Sequence, residues 1–196
     1  MGRRHMRMFK EGLDQASGIR RMTNNKPVRV IAIASGKGGV GKTNLSVNLG
    51  VSLCKLGRKV ALLDANMGLA NVDILLGLHP SYNLTHVLSG EKSLAEIVVE
   101  GPHGLKAVPA SSGVQHMAEI GTMEQAGIIN AFSEFEHDID ILLVDTAAGI
   151  HGGVINFARA CQEVLIVVCD EPTSLTDAYA LIKLLNRDHG LNRFHI

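Results

Sequence analysis

A glycine-rich turn between a predicted strand and a predicted helix constrains the fold more than any other stretch. The apolar run Val28 to Ala34 predicts a strand, and Asn44 to Leu56 predicts a helix. Between them the sequence reads Ser-Gly-Lys-Gly-Gly-Val-Gly-Lys-Thr. Strand, glycine-rich turn, lysine-threonine and helix, in this order, are the context of a phosphate-binding P-loop. The chain is therefore predicted to bind a nucleotide on an α/β fold.

The residue types of this turn suit a triphosphate. Glycines let the backbone approach phosphate oxygens, and the helix N-terminus adds unpaired amides and a positive dipole end. Lys42 is placed for the β- and γ-phosphates and the Thr43 hydroxyl for Mg²⁺. The predicted nucleotide-binding residues of the turn are Gly36, Lys37, Gly38, Gly39, Val40, Gly41, Lys42, Thr43 and Asn44.

Lys37 is not required by an ordinary P-loop. The string from Lys37 to Thr43 resembles the deviant Walker A motif of the MinD/ParA ATPases. In that family the first lysine reaches across an ATP-sandwich dimer to the phosphates bound by the partner. The resemblance implies ATP with Mg²⁺, a homodimer as the active form, and catalytic roles for Lys37 and Lys42. The alternative interpretation of Lys37 is a solvated loop lysine.

Two acidic residues end predicted strands. Lys59 to Leu63 is a short apolar strand followed by Asp64, and the strand from Ile139 ends at Asp145 in a Walker B pattern. Ligands bind at the carboxyl edge of such sheets. The resemblance implies that Asp64 and Asp145 hold Mg²⁺ through water, beside Thr43, as the metal site. The turn after Asp145 resembles switch II, whose Gly149 amide follows the γ-phosphate.

The loop from Asp64 to Asp73 resembles switch I of the family, usually written DADxGLxNxD. The family aspartate that orients the attacking water is Asn66 in this chain. An asparagine can hydrogen-bond a water but cannot take its proton. Asn66 is the third predicted catalytic residue. We therefore expect tight Mg·ATP binding with slowed hydrolysis, unless another group positions the attacking water. After switch II, His151-Gly152 replaces the Ser-Asp common in flagellar members.

The N-terminal segment predicts a helix of its own. Apolar residues recur at spacings of three and four between Met6 and Met22, and Asn24 to Pro27 breaks the pattern. We therefore expect residues 1–27 to form a helix with its linker and residues 28–196 the P-loop domain.

The stretch Asp14 to Arg20 within that helix resembles the DQAxxLR activator motif of the flagellar-number regulators called FlhG or FleN. In that family the segment docks on the signal-recognition-type GTPase FlhF and stimulates hydrolysis. The alternative is a helix packed on its own domain. The resemblance implies the partner-binding residues Asp14, Gln15, Ala16, Ile19 and Arg20.

Composition narrows the class of protein. The 196 residues suit one domain, and 19 basic against 19 acidic residues give no charge excess of the nucleic-acid-binding kind. No apolar run is long enough for a transmembrane helix, and the basic N-terminus lacks the apolar region of a secretory signal. Three cysteines without a CxxC favour a reducing cytoplasm and disfavour an iron–sulfur site. The nine histidines lack metal-site spacing.

Alternating strands and helices predict a three-layer α/β/α P-loop domain with a mostly parallel central sheet. Further predicted elements are short helices at Leu84 to Leu88 and Leu94 to Val98, a strand at Leu105 to Val108, a helix at Met123 to Phe135, a strand at Val164 to Cys169, a helix at Ser174 to Asn186 and the start of a strand at Arg193. Full-length relatives continue to an amphipathic membrane-targeting helix. The resemblance therefore implies that the C-terminal part of the family fold is missing here.

The resulting prediction is a Mg·ATP-binding, dimerising ATPase that regulates flagellar number and placement and docks on an FlhF-type GTPase. A flagellar transcription regulator, basal-body proteins and, for full-length members, the membrane surface are further partners that the family implies. Two alternatives stay open. One is a positioning ATPase of the ParA or MinD class, in which the segment from Asp14 to Arg20 would have no role. The other is a non-hydrolysing, nucleotide-dependent interaction module, which Asn66 favours.

Overall fold

The computed structural model describes residues 27–66, 71–110, 132 and 139–196. Three predictions lie wholly or mostly outside these residues. They are the helix Met6 to Met22 with its activator motif, the middle of the loop between Asp64 and Asp73, and the helix Met123 to Phe135.

The described residues form one seven-stranded sheet with the order β3-β4-β2-β5-β1-β6-β7. Every neighbouring pair is parallel except β3 and β4. This confirms the mostly parallel sheet. The strands are β1 Arg29–Ser35, β2 Val60–Ala65, β3 Val99–Glu100, β4 Lys106–Val108, β5 Ile141–Ala148, β6 Glu163–Ile166 and β7 Phe194–His195.

Helices connect these strands, as parallel pairing requires. In the described part of the chain none of them is long and apolar enough to cross a membrane. The helices are α1 Lys42–Lys55, α2 Val72–Leu76, α3 Leu84–Leu88, α4 Leu94–Ile97, α5 Gly152–Ala160 and α6 Pro172–His189, with a 3₁₀ turn at Pro102–Gly104.

Alternate residues of each central strand face opposite layers, which makes the domain three layers thick. Ile33 and Leu62 pack in one apolar cluster with Val47 of α1. Their neighbour Ala34 packs on the other face, in a cluster with Leu181 of α6 and Val154 of α5. Because side chains alternate along a strand, both faces of the apolar central strands are buried. The predicted α/β/α layering is confirmed.

Several element boundaries differ from the predicted ones. Helix α1 begins at Lys42, and β5 continues past Asp145 to Ala148. Strand β3 was not predicted, since a two-residue strand carries no alternation to detect. Helix α5 was not predicted either. It opens with Gly152 and Gly153, and glycine is a poor helix former.

An ionic cluster joins the strand β1 to the strands β6 and β7 at the sheet end opposite the P-loop. The buried carboxylate of Glu163 accepts two hydrogen bonds from Arg29, at 3.0 and 2.5 Å, and lies 2.8 Å from Nε2 of His195. The hydrogen bonds from Arg29 and His195 lower the pKa of Glu163 to about 2. The cluster therefore links the start of β1, which carries the P-loop at its other end, to β6 and β7.

Candidate functional site: a phosphate-binding cavity at the carboxyl edge of the sheet

The predicted site residues meet at the carboxyl ends of three adjacent strands. Strand β5 lies between β2 and β1 and pairs Asp145 with both Asp64 and Ile33. Residues in register on neighbouring strands point to the same face of the sheet. The two acids are therefore side by side, and the P-loop that follows β1 lies next to them, where ligands bind in open α/β sheets.

The P-loop backbone is bent as an anion-binding turn requires. Gly41 is the N-cap of α1 and has a φ of 86°, a left-handed conformation that favours glycine. The first amides of α1 have no partner within the helix, and their dipole favours an anion. The loop borders a cavity of about 560 Å³. From the predicted set, Gly38, Gly39, Gly41, Lys42, Thr43, Asn44 and Asn66 line it, and Gly36, Lys37, Val40, Asp64, Asp145 and Gly149 do not.

Lys42 is held by the Walker B acid. Its Nζ lies 2.8 Å from Oδ1 of Asp145, and both side chains are buried. The hydroxyl of Ser46 lies 2.8 Å from the same oxygen and 3.0 Å from the carbonyl oxygen of Lys42. Ser46 was not predicted as a site residue. Ser46 follows Lys42 by four residues, so the helical repeat places both on the face toward Asp145. This spacing is the sequence signal that could have identified Ser46.

The second oxygen of Asp145 has the property expected of a metal-site ligand. Its Oδ2 is buried and has no hydrogen-bond partner within the part of the chain that the structure describes. Buried polar atoms are normally paired. Mg²⁺ takes oxygen ligands, keeps several waters and usually binds one or two carboxylates plus substrate phosphates. The free oxygen of Asp145, with Thr43 on the cavity wall, fits such an ion.

Asp64 organises the loop that follows β2. Its carboxylate accepts backbone hydrogen bonds from Asn66 at 3.0 Å, Asn71 at 2.9 Å and Val72 at 3.1 Å. Burial raises the pKa of Asp64 to about 6, although these amides lower it, and the nearby Asp145 adds to the increase. Asp64 therefore anchors both ends of the loop that carries Asn66, besides lying next to the predicted metal position.

Lys37 points away from the cavity of its own chain. Its Nζ lies 2.6 Å from Oε2 of Glu171 and 3.4 Å from the hydroxyl of Thr173, at the start of α6. The hydrogen bond raises the pKa of Lys37 and lowers that of Glu171. The two side chains are 41% and 53% exposed. Exposed ion pairs contribute little to stability, so this one can be exchanged at small cost.

The switch II turn lies against the end of β1. The amide of Gly149 donates to the carbonyl oxygen of Ser35 at 2.8 Å, so it is engaged with the strand and does not face the cavity. Two residues later His151 lines the cavity together with Asn66. The sequence showed His151 only as a departure from the family pattern.

The comparisons with known proteins agree with this site. A family model described as an AAA domain matches residues 28–192. The antiactivator FleN of Pseudomonas aeruginosa is 57% identical over 178 residues. The chain belongs to this family, as a MinD/ParA-type P-loop ATPase close to FleN. The match covers 91% of the chain and 64% of FleN, so the chain spans just under two thirds of that relative.

Two other known proteins are similar to this chain. The flagellum site-determining protein YlxH of Helicobacter pylori is 40% identical, over 84% of this chain and 56% of its own length. The septum site-determining protein MinD of Pyrococcus horikoshii, solved with Mg-ADP, superposes with a TM-score of 0.73 at 26% identity. That superposition covers 85% of this chain and 68% of MinD. The fold of this P-loop ATPase is thus the MinD fold.

We predict that Gly36→Ala destabilises the domain by about 1–3 kcal/mol, the usual cost of overpacking. A Cβ at Gly36 would lie 2.3 Å from the backbone carbonyl carbon of Asp177 in α6, so the P-loop and α6 would have to separate. Gly38→Ala is the control, since its nearest contact would be 4.0 Å away. Urea denaturation measures both variants. Equal stabilities would contradict this packing of α6 on the P-loop.

Proposed function

We propose that this chain is the nucleotide-binding part of a Mg·ATP-dependent, dimerising ATPase that regulates flagellar number and placement. The observation that carries the proposal is the buried contact of Lys42 with Asp145 at the wall of the P-loop cavity, beside an unpaired carboxylate oxygen. The Mg-ADP complex of MinD supports the nucleotide and the metal. The resemblance to FleN and to the flagellum site-determining YlxH supports the flagellar role.

Binding of the nucleotide would separate Lys42 from Asp145 and give each of them a new partner. Lys42 leaves Asp145 for the β- and γ-phosphate oxygens, and the glycine-rich backbone donates its amides to the same phosphates. Asp145 and Thr43 are the residues that would hold Mg²⁺, through the unpaired carboxylate oxygen and the hydroxyl. The ion would supply neutralisation of the phosphate charge.

Dimerisation is proposed to use Lys37. In the free chain its ammonium is neutralised by Glu171. In the proposed dimer it leaves this exposed pair and reaches the phosphates bound by the partner. The exchange costs little because both groups remain partly in water in the starting state.

Hydrolysis is proposed to be slow because of Asn66. Phosphoryl transfer passes through a loose transition state, so catalysis depends mainly on positioning and charge. The amide of Asn66 can hydrogen-bond a water but brings neither negative charge nor a proton acceptor. The same observation favours the second candidate function, a nucleotide-dependent interaction module that hardly hydrolyses ATP.

Residues 1–27 are proposed to form a separate activator segment for an FlhF-type GTPase, ahead of the ATPase domain at residues 28–196. The segment lies outside the described residues, and the motif from Asp14 to Arg20 supports the proposal. Further proposed partners are a flagellar transcription regulator and basal-body proteins, with action in the cytoplasm. If this segment has no such role, the alternative function is that of a positioning ATPase of the ParA or MinD class.

Lys42→Ala and Lys37→Ala should separate nucleotide binding from dimerisation. Losing charge-assisted contacts to the phosphates should weaken ATP binding to Lys42→Ala by at least about thirtyfold, equivalent to about 2 kcal/mol. Lys37→Ala should bind ATP like wild type but form fewer dimers with Mg²⁺ and a non-hydrolysable analogue. Calorimetry and analytical ultracentrifugation measure the two effects.

A folding control accompanies this pair because Lys42→Ala leaves Asp145 buried without its counter-ion, which is strongly destabilising. Lys42→Gln keeps a hydrogen-bond donor toward Asp145 and should show the same loss of ATP affinity with less loss of stability. Wild-type affinity in a folded Lys42→Gln would contradict the P-loop role. Wild-type dimer fractions in Lys37→Ala would contradict the cross-dimer contact.

Asn66→Asp should raise steady-state ATP turnover by at least about tenfold, since a positioned general base contributes about 10²–10⁴ in rate. ATP affinity should change little, because the position acts on the attacking water and not on the triphosphate. Asn71→Asp is a matched control, as Asn71 lines the same cavity and its backbone also donates to Asp64. Equal turnover of Asn66→Asp and wild type would place water activation elsewhere.

An FlhF-type GTPase should be captured by the full chain and not by a chain lacking residues 1–26. Gln15→Ala and Arg20→Ala should each reduce capture and GTPase stimulation, because both are polar residues of the motif. Arg21→Ala, which removes a like charge just outside the motif, is the control. Capture that survives the deletion would move the docking site onto the ATPase domain.

A further inference from the structure

The cavity contains one side chain suited to exchange protons near neutral pH that none of the assigned roles uses. His151 lies on the cavity wall in the same lining as Asn66, Thr43 and Lys42. Imidazole is the side chain whose ordinary protonation change lies between about pH 5 and 8. Of the described residues that line the cavity, only Lys42 and His151 have ionisable side chains, and the ammonium of Lys42 is paired with Asp145.

The imidazole of His151 is not engaged elsewhere in the described part of the chain. His151 is the N-cap residue of α5, and no side-chain hydrogen bond caps that helix. No described residue donates to or accepts from either ring nitrogen. The ring is thus available to the cavity.

The switch II backbone is shaped to admit this ring. A Cβ built on Gly149 would lie 2.8 Å from Cε1 and 3.1 Å from Nδ1 of His151. The imidazole therefore rests against the Cα of Gly149, where a Cβ would contact it. Two polar side chains, from switch II and from the end of β2, thus face one phosphate-binding cavity.

We propose that His151 accepts the proton of the attacking water during ATP hydrolysis, the step that Asn66 cannot perform. This rests on the proposed ATPase function. Asn66 orients the water, and the water oxygen forms a bond to the γ-phosphorus as the bond from phosphorus to the β,γ-bridging oxygen breaks. ADP leaves with that electron pair. The water proton moves to a neutral imidazole nitrogen of His151, which returns it to phosphate or solvent.

The other ionisable groups around the cavity already have assigned roles. Lys42 of α1 lines the cavity, and Asp64 and Asp145 lie in register at the ends of β2 and β5. The ammonium and Asp145 neutralise each other, and the backbone amides of the following loop occupy Asp64. In the proposed bound state Asp145 would serve the metal site and Asp64 the loop amides, so the imidazole is the group left to act as a base.

The test is a double-mutant cycle of His151→Ala and Asn66→Asp in the full chain, with steady-state hydrolysis and ATP affinity as readouts. In the wild-type background His151→Ala should slow hydrolysis by at least about tenfold with ATP affinity within about twofold. In the Asn66→Asp background the same change should cost much less, because the new carboxylate accepts the proton. Free imidazole should restore part of the rate to His151→Ala.

His79→Ala is the matched control, since His79 is exposed and lines a different cavity. If His151→Ala hydrolyses ATP at the wild-type rate, the role of His151 is overturned and the ATPase function stands. An equal loss in both Asn66 backgrounds, without imidazole rescue, also overturns it, because that is the result of a structural role. A wild type that binds ATP without hydrolysing it overturns the ATPase function and this role together.

Discussion

The site depends on a buried ion pair that is made to be exchanged. Lys42 and Asp145 are both removed from water and lie 2.8 Å apart. Taking either partner away leaves a buried charge, at a cost of about 3–5 kcal/mol. In the proposed complex a magnesium nucleotide would replace both partners at once, since the phosphates would pair with the ammonium of Lys42 and the metal site would use the carboxylate of Asp145. Neither of these two buried charges would then be left without a partner of opposite charge.

The carboxylate of Asp64 has a different role from that of Asp145, although the two residues are in register. Both carboxylate oxygens of Asp64 accept hydrogen bonds from backbone amides, those of Asn66, Asn71 and Val72. Its raised pKa follows from burial next to Asp145, and a nearby divalent cation favours the ionised form. A metal bound in the proposed site would thereby favour the anchoring of the loop. A protonated Asp64 would have fewer acceptor sites for the amides that hold that loop.

Features that depend on the order of neighbouring residues along the chain could be predicted from the sequence. The P-loop, the acids at the ends of β2 and β5 and the mostly parallel sheet follow from apolar runs with the right residues at their ends. Contacts between distant residues could not be predicted in this way. The pairing of Lys37 with Glu171 spans 134 positions, and the contact of Ser46 with Asp145 spans 99. The helix α5 was missed because its two opening glycines are unfavourable for a helix, and packing on the sheet outweighs that preference.

Helix α6 contacts two consecutive P-loop residues in different ways. Gly36 touches the backbone at Asp177 and Ala178 so closely that no larger residue fits, which makes this contact rigid. Lys37 reaches the first turn of the same helix through an exposed ion pair with Glu171, which can break at little cost. The rigid contact would keep α6 and the P-loop in register during the proposed change of partner by Lys37. A lysine that leaves Glu171 for a phosphate of a second chain can therefore do so without moving the helix. The charge of Glu171 is then uncovered at the start of α6, where the unpaired amides of the helix N-terminus favour a negative charge.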